Sequence, residues 1–216
     1  MGPLREQFPP VAISKRAAQV LRAEIAEGVH RPGDRLIEAA VGEELGISRN
    51  TVREAFAELE AERLIVRAPH RGVFVAQPGR DDVRDVYALR RVVEVGAVLT
   101  GPDTTAVARA REAVEEAVAA RARGDMAALG SANNHFHRAV VAMAASSRLD
   151  ATMEHVLAEM RLLFLSPTTR EDFHLGFVDA NGAICAALER DRRQEAADLL
   201  AAYLDRAERA LLDMTG

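Results

Sequence analysis

Cysteine occurs once in the 216 residues, at Cys185, so an internal disulfide framework is excluded. Tryptophan is absent, which makes intrinsic fluorescence a poor readout of ligand binding. Glycine (14) and proline (8) are too few for a collagen-like or low-complexity chain. No apolar run approaches the roughly 18 residues that a membrane helix needs. The N-terminal stretch MGPLREQFPP has no apolar segment of the signal-peptide kind. Lysine is nearly missing, since Lys15 is the only one among 28 basic residues. What is present is an ordinary globular balance, 49% apolar and 28% charged, which excludes disorder as the main state. The expectation is a soluble, cytoplasmic protein with one large domain or two small ones.

A net charge of −5 looks wrong for a nucleic-acid binder, but it is unevenly spread. Residues 1–79 carry eleven basic and eleven acidic side chains, and the deficit lies wholly in residues 80–216. The overall balance therefore decides nothing, and the placement of single arginines decides a great deal. Composition shifts near Gln77-Pro78-Gly79. Before it, short helical patterns alternate with two β-branched runs; after it only helical periodicity remains. The expected division is residues 1–77, a linker at 78–80, and a second unit at 81–216.

In the first unit, Ala17, Val20, Leu21, Ile25 and Val29 recur at helical spacing from Ser14, an expected N-cap. A second helix is predicted over 38–45, closed by Gly46, and a third over 49–60, capped by Ser48. Its apolar stripe is Val52, Ala55, Phe56 and Leu59. Helix, glycine turn, helix is the helix-turn-helix arrangement. The runs 64–67 and 73–76 flank Ala68-Pro69-His70-Arg71-Gly72 and read as a hairpin with a basic tip, a wing. The second unit reads as six helices, over 81–99, 103–124, 125–145, 148–165, 168–189 and 192–213. The stops and caps are Gly101, Asp103, Gly124 and Asp125. Val83, Val86, Tyr87, Leu89 and Val93 are the expected core stripe of the first.

The segment Gly46-Ile47-Ser48-Arg49-Asn50-Thr51-Val52-Arg53-Glu54 carries the functional argument. Arg49 and Arg53 are one turn apart and share a face, while Val52, Ala55 and Phe56 face the core. A guanidinium reads guanine O6 and N7 bidentately or clamps phosphate, and Asn50 and Thr51 donate to either. Ser48 and the first-turn N–H groups favour an anion. Either arginine alone is better read as a solvated side chain. Turn, cap, paired arginines and basic hairpin together favour a major-groove reader. His70, Arg71 and Gly72 at the wing tip and Arg35 join Ser48, Arg49, Asn50, Thr51 and Arg53 as candidate DNA contacts. Arg22 is as consistent with simple exposure.

On these residues the chain resembles the GntR family of bacterial regulators. The matching stretches are LRAEIAEGVHRPGDRLIE, ELGISRNTVREAFAELEAERLIV and HRGVFVA. The family's SR-x-x-VRE core falls on Ser48, Arg49, Val52, Arg53 and Glu54, while Asn50 and Thr51 depart from the commoner Thr-Pro pair. Residues 81–213 resemble the all-helical effector domain of the FadR/FCD branch, on DVYALRRVVEVGA with Arg90 and Glu94 in place. The resemblance implies a mainly α fold: an N-terminal winged helix-turn-helix and a C-terminal helical bundle. It also implies a homodimer on palindromic double-stranded operator DNA, released or retained by a small molecule.

That branch commonly holds a divalent metal on one Asp and three His. Here the pattern falls on Asn133, His137, Asn181 and Tyr203, so one strong ligand of four remains. Two neutral amides and a phenol bring no charge to offset a dication. No metal and no other cofactor is expected. A rearranged set of His137, His174 and Glu171 is the less favoured alternative. Asn133, His137, Asn181 and Tyr203 are instead expected to line an effector pocket, with Arg90 and Arg161 available to a carboxylate. Arg90 pairing with Glu94 four residues on is an equally good reading. Cys185 is expected to be buried and inert. Two other functions stay open: a metal-assisted enzyme on the helical unit, and an adaptor that has lost DNA binding. No H-E-x-x-H, P-loop or G-x-S-x-G stretch supports the first.

Overall fold

A computed structural model describes residues 10–100, 103–165 and 172–214. Two compact units emerge. One comprises the stretch up to Pro78 with the last turns of one later helix, from Ala158. The other comprises the rest from Gly79 onward.

The first unit opens with α1 (Pro10–Glu27). Ala17, Leu21 and Ile25 fall on one face and are buried. Ser14 does not cap this helix, because α1 begins upstream of it and Ser14 is itself buried. Val29 lies beyond the helix end and is 63% exposed, so it is no part of the stripe. A two-residue strand, β1 (Arg35–Leu36), precedes α2 (Glu38–Glu44). The chain then turns at Gly46 (φ +64°), a left-handed conformation that glycine adopts without steric cost. Ile47 N–H donates to the Gly42 carbonyl and closes the turn.

Helix α3 (Arg49–Ala61) follows, with Ser48 as N-cap: its Oγ accepts from Thr51 N–H at 3.2 Å. Val52, Ala55, Phe56 and Leu59 are wholly buried, as their spacing requires. β2 (Ile65–Ala68) and β3 (Gly72–Val75) form the antiparallel wing. β1 adds to its other side, in the order β1-β3-β2, with Arg35 opposite Phe74. Two residues, one of them a charged arginine, give no periodicity, so sequence reading missed this third strand.

The second unit is helical throughout its described residues: α4 (Arg80–Thr100), α5 (Thr104–Arg123), α6 (Met126–Ala142), the first turns of α7 (Ser147–Leu165), α8 (Val178–Glu189) and α9 (Arg193–Met214). Asp103 and Asp125 cap α5 and α6, accepting from Thr105 N–H and Ala128 N–H at 2.9 Å. Gly124 ends α5 in the left-handed conformation (φ +69°). Gly101 and residues 168–171 of the expected fifth helix lie outside the described residues. Within them, that helix is a 3₁₀ turn (Phe173–Phe177) running into α8. Val83, Val86 and Tyr87 are buried as expected, whereas Leu89 is 37% exposed. In this unit α4 packs on α9 and α6, and α5 on α6 and α8.

Phe56→Ala removes a ring with no exposed surface. The expected cost is about 3–5 kcal/mol, seen as a lower urea midpoint by circular dichroism. A midpoint within error of wild type would contradict this packing.

Candidate functional site

Burial of one face of α3 forces its other face outward. Arg49, Asn50 and Arg53 are exposed, and Thr51 is half-buried. Ser48 Oγ and Thr51 Oγ1 are 2.8 Å apart, so the first turn is internally braced and the Thr51 N–H is already engaged. Asn50 Nδ2 donates to Glu54 Oε1 at 3.2 Å. Arg53 is less free than its spacing suggests: its Nε donates to Glu38 Oε2 of α2 at 2.8 Å, with its side chain still 62% exposed. No ion pair or hydrogen bond to the Arg49 guanidinium is found among the described residues.

The wing tip is exposed at His70 and Arg71, and the Arg71 guanidinium lies over the Phe74 ring, 5.7 Å from its centroid. Gly72 is required twice over. Its φ is +112°, and a Cβ there would come within 3.1 Å of Arg35 Nε. Arg35, from β1, therefore rests against the wing backbone and joins the basic tip. Arg22 is bound internally, donating through Nε and Nη2 to Glu62 at 2.7 and 2.5 Å. Sequence reading missed Arg67, exposed on β2, whose Nε donates to Glu60 at 2.8 Å. The β2 pattern was in view, but the direction of that side chain depends on strand register.

In the second unit, five of the six expected effector residues, Arg90, Asn133, His137, Asn181 and Tyr203, join Glu94 in one buried hydrogen-bonded series. Arg90 Nε donates to Glu94 Oε1 at 2.6 Å, and both residues are essentially unexposed. The other carboxylate oxygen meets His137 Nδ1 at 2.6 Å. His137 Nε2 lies 3.1 Å from the Tyr203 hydroxyl, which is 3.0 Å from Asn133 Oδ1. Asn181 Nδ2 donates to that same Oδ1 at 3.0 Å. The Tyr203 hydroxyl donates to Asn133 Oδ1, and its oxygen can accept from His137 Nε2 when that nitrogen carries the proton. Two atoms in the chain have no partner: Arg90 Nη2 and Asn181 Oδ1.

Arg161 is not in this cluster. It belongs to the first unit, where its Nε donates to the Ala26 carbonyl near the α1 C-terminus at 2.8 Å. A cation is favoured there by the exposed carbonyls and the helix dipole. Spacing alone could not reveal this, because the partner is 135 residues away in sequence.

Burial alone would push the Glu94 carboxyl up, but the charges and hydrogen bonds of Arg90 and His137 outweigh it and hold it at about 2. Burial pulls His137 below the usual imidazole range despite Glu94. Burial raises the Tyr203 phenol and pushes Tyr87, beside Arg90, up to about 12. Cys185 is buried, its thiol raised by burial to about 11 despite the Arg111 charge, which makes it a poor nucleophile.

The metal implied by the family resemblance does not fit this donor set. His137 has both ring nitrogens engaged, Asn133 Oδ1 is already shared by two partners, and the Tyr203 phenol keeps its proton. Among the described residues no group of three or more His, Cys, Asp or Glu is placed to hold an ion. His135 lies apart, exposed and paired with Glu116 at 2.7 Å. His174 is buried beside Phe173, and Glu171 lies outside the described residues.

Glu94→Gln leaves Arg90 and His137 without their carboxylate, at an expected cost of about 3–5 kcal/mol near pH 7. The folded-state carboxyl titrates below its unfolded value, so its contribution is complete above about pH 4.5 and is lost as pH falls toward 2. Wild type and variant should therefore converge in acid, which urea titrations at several pH values would show.

Residues 13–75 match the model of the bacterial regulatory proteins of the gntR family, and residues 85–206 match the FCD domain. An uncharacterized HTH-type regulator from Agrobacterium vitis is 30% identical over 135 residues, 60% of this chain and 79% of that one. McbR of Escherichia coli is 26% identical over 133 residues, 60% of either chain. A solved GntR-type structure from Rhodococcus sp. RHA1 is 37% identical, covering 93% of this chain and 97% of that one with TM-score 0.85. The E. coli McbR structure shares the fold, with TM-score 0.77 at 21% identity over 94% and 99% of the two chains. With a helix-turn-helix unit matched at one end and more than half of the chain matched as FCD, this protein belongs to the GntR family of bacterial transcriptional regulators, and not to an enzyme family.

Proposed function

We propose that this regulator binds palindromic operator DNA as a homodimer, and that a small organic acid taken up in the helical unit changes its affinity. One observation carries the DNA-binding half: the Arg49 guanidinium stands free at the exposed N-terminal end of a capped helix whose opposite face is wholly buried. That end presents Arg49, Asn50 and Arg53 to base edges and phosphates, with His70, Arg71 and Arg35 of the wing region as phosphate or minor-groove contacts. Ser48 and Thr51 act chiefly as the brace of that helix end. Glu38 competes with DNA for Arg53, so Arg53 exchanges one partner for another on binding.

The second unit supports dimerisation through α4. Its outward face carries Ala88, Leu89, Val92, Val95, Gly96 and Leu99, spaced as a heptad seam, with Val92 77% exposed. A two-fold pairing needs one patch that complements itself, and a helix seam of this kind does so. The effector half rests on the buried Arg90–Asn181 chain. A ligand shifts an equilibrium between two arrangements only by its difference in affinity for them. No helix of the described residues is long and apolar enough to cross a membrane.

Arg49→Ala should weaken operator binding by about 1–3 kcal/mol, and Arg53→Ala by less, because Arg53 gives up Glu38 to reach DNA. Gel shifts against the exposed Arg123→Ala control would show it, and equal shifts for all three variants would reject the interface. Val92→Glu should move the protein to the monomer position in analytical ultracentrifugation. Persistence of the dimer would place the two-fold on another face.

A further inference from the structure

The outward face of α3 carries two stripes, one residue apart. Arg49 and Arg53 form the first, Asn50 and Glu54 the second, and all four are exposed. The second stripe is closed on itself by one hydrogen bond, from Asn50 Nδ2 to Glu54 Oε1 at 3.2 Å. That bond fixes which way the amide faces. An ionised carboxylate only accepts, so the group turned toward Glu54 is the NH2 and not the carbonyl. Among the described residues the Asn50 amide has no other partner. It keeps one N–H and its Oδ1 for something outside the protein.

As a surface pair the arrangement does little for the helix, since asparagine is a poor helix former and such a pair adds little stability. Its chemistry is that of one base edge. In the major groove guanine offers two acceptors, and adenine an acceptor beside an amino donor. Cytosine offers an amino donor, and thymine an acceptor beside a methyl group. A guanidinium brings donors only, so Arg49 matches guanine. The Asn50 amide brings a donor and an acceptor side by side, and adenine, with N7 and its N6 amino group, is the one edge that satisfies both. Thr51 does not compete, because its hydroxyl lies 2.8 Å from Ser48 Oγ.

We infer that Asn50 reads an adenine in each operator half-site, besides the guanine that Arg49 matches, and that Glu54 is the positioning residue that holds the amide for it. This rests on the reading of α3 as the DNA-facing helix and names a base that it reads. A carboxylate so close to DNA weakens binding to every sequence by repelling phosphate. Its contribution is selectivity: an amide free to rotate would offer its donor and acceptor in either order, and a held one offers a single order.

The test is selection from a random DNA library with the full chain at low salt, where phosphate contacts retain weak binders, followed by gel shifts on the selected site. The selected half-site should contain a fixed adenine. Asn50→Ala should lower the preference for adenine at that position by about five- to hundredfold and leave the guanine preference in place. An operator with carbon in place of N7 at that adenine should bind wild type about two- to tenfold more weakly and leave Asn50→Ala unaffected. Glu54→Ala should flatten the adenine preference, whereas Glu54→Gln, which keeps an acceptor, should retain it. Both remove a negative charge and should raise affinity for all sequences alike, so the ratio between bases, not the affinity, reports on positioning.

An adenine preference that survives Asn50→Ala, indifference to the N7 substitution, or a cytosine fixed through Glu54 would overturn the inference and leave the DNA-binding reading standing. Equal preference in Glu54→Ala and Glu54→Gln would overturn the positioning role of Glu54. If no sequence is enriched, the DNA-facing reading of α3 falls and the adenine falls with it.

Discussion

Phe56 and its neighbours Val52, Ala55 and Leu59 bury one side of α3 completely, and the DNA interface proposed for its other side depends on that burial. A helix has only about 100° of arc to offer its core, so filling that arc leaves Arg49, Asn50 and Arg53 nowhere to go but outward. The Ser48 cap then braces the first turn, holding the Arg49 end in shape without using its guanidinium. The wing is set by the same logic. Val73 and Val75 are buried, so the strand alternation turns Gly72 and Phe74 the other way, where Arg71 and Arg35 gather.

The second unit rests on a different constraint, a carboxylate with no exposed surface. Glu94 can stay ionised there only because Arg90 and His137 are within hydrogen-bond distance. The polar chain that follows reaches through Tyr203 and Asn133 to Asn181, tying α4, α6, α8 and α9 together. An apolar core would bind these helices more cheaply. A polar chain ending in an unpaired cation and an unpaired carbonyl makes sense where something else completes it.

Much of this was legible in the amino-acid order. The apolar period of α3, the Val83, Val86 and Tyr87 part of that of α4, the Asp103 and Asp125 caps and the left-handed Gly124 appear where local rules put them. So do the wing strands, to within a residue. The failures share one cause. β1 is two residues long and exists only because β3 offers it an edge. Ser14 looks like a cap by type, but burial against the core lets α1 run past it. Leu89 has helical spacing yet lies on the α4 face that the bundle does not cover.

The sequence by itself determined which helix faces are apolar, which residues cap or break each element, and that Arg49 and Arg53 share a face. These follow from local geometry, repeated every few residues. Only the tertiary structure decided what each charged group is paired with. It set Arg53 against Glu38 and Arg161 against the Ala26 carbonyl, and left Arg90 and Asn181 each one partner short. Those outcomes depend on residues brought together from distant parts of the chain, and periodicity carries no record of distance in space.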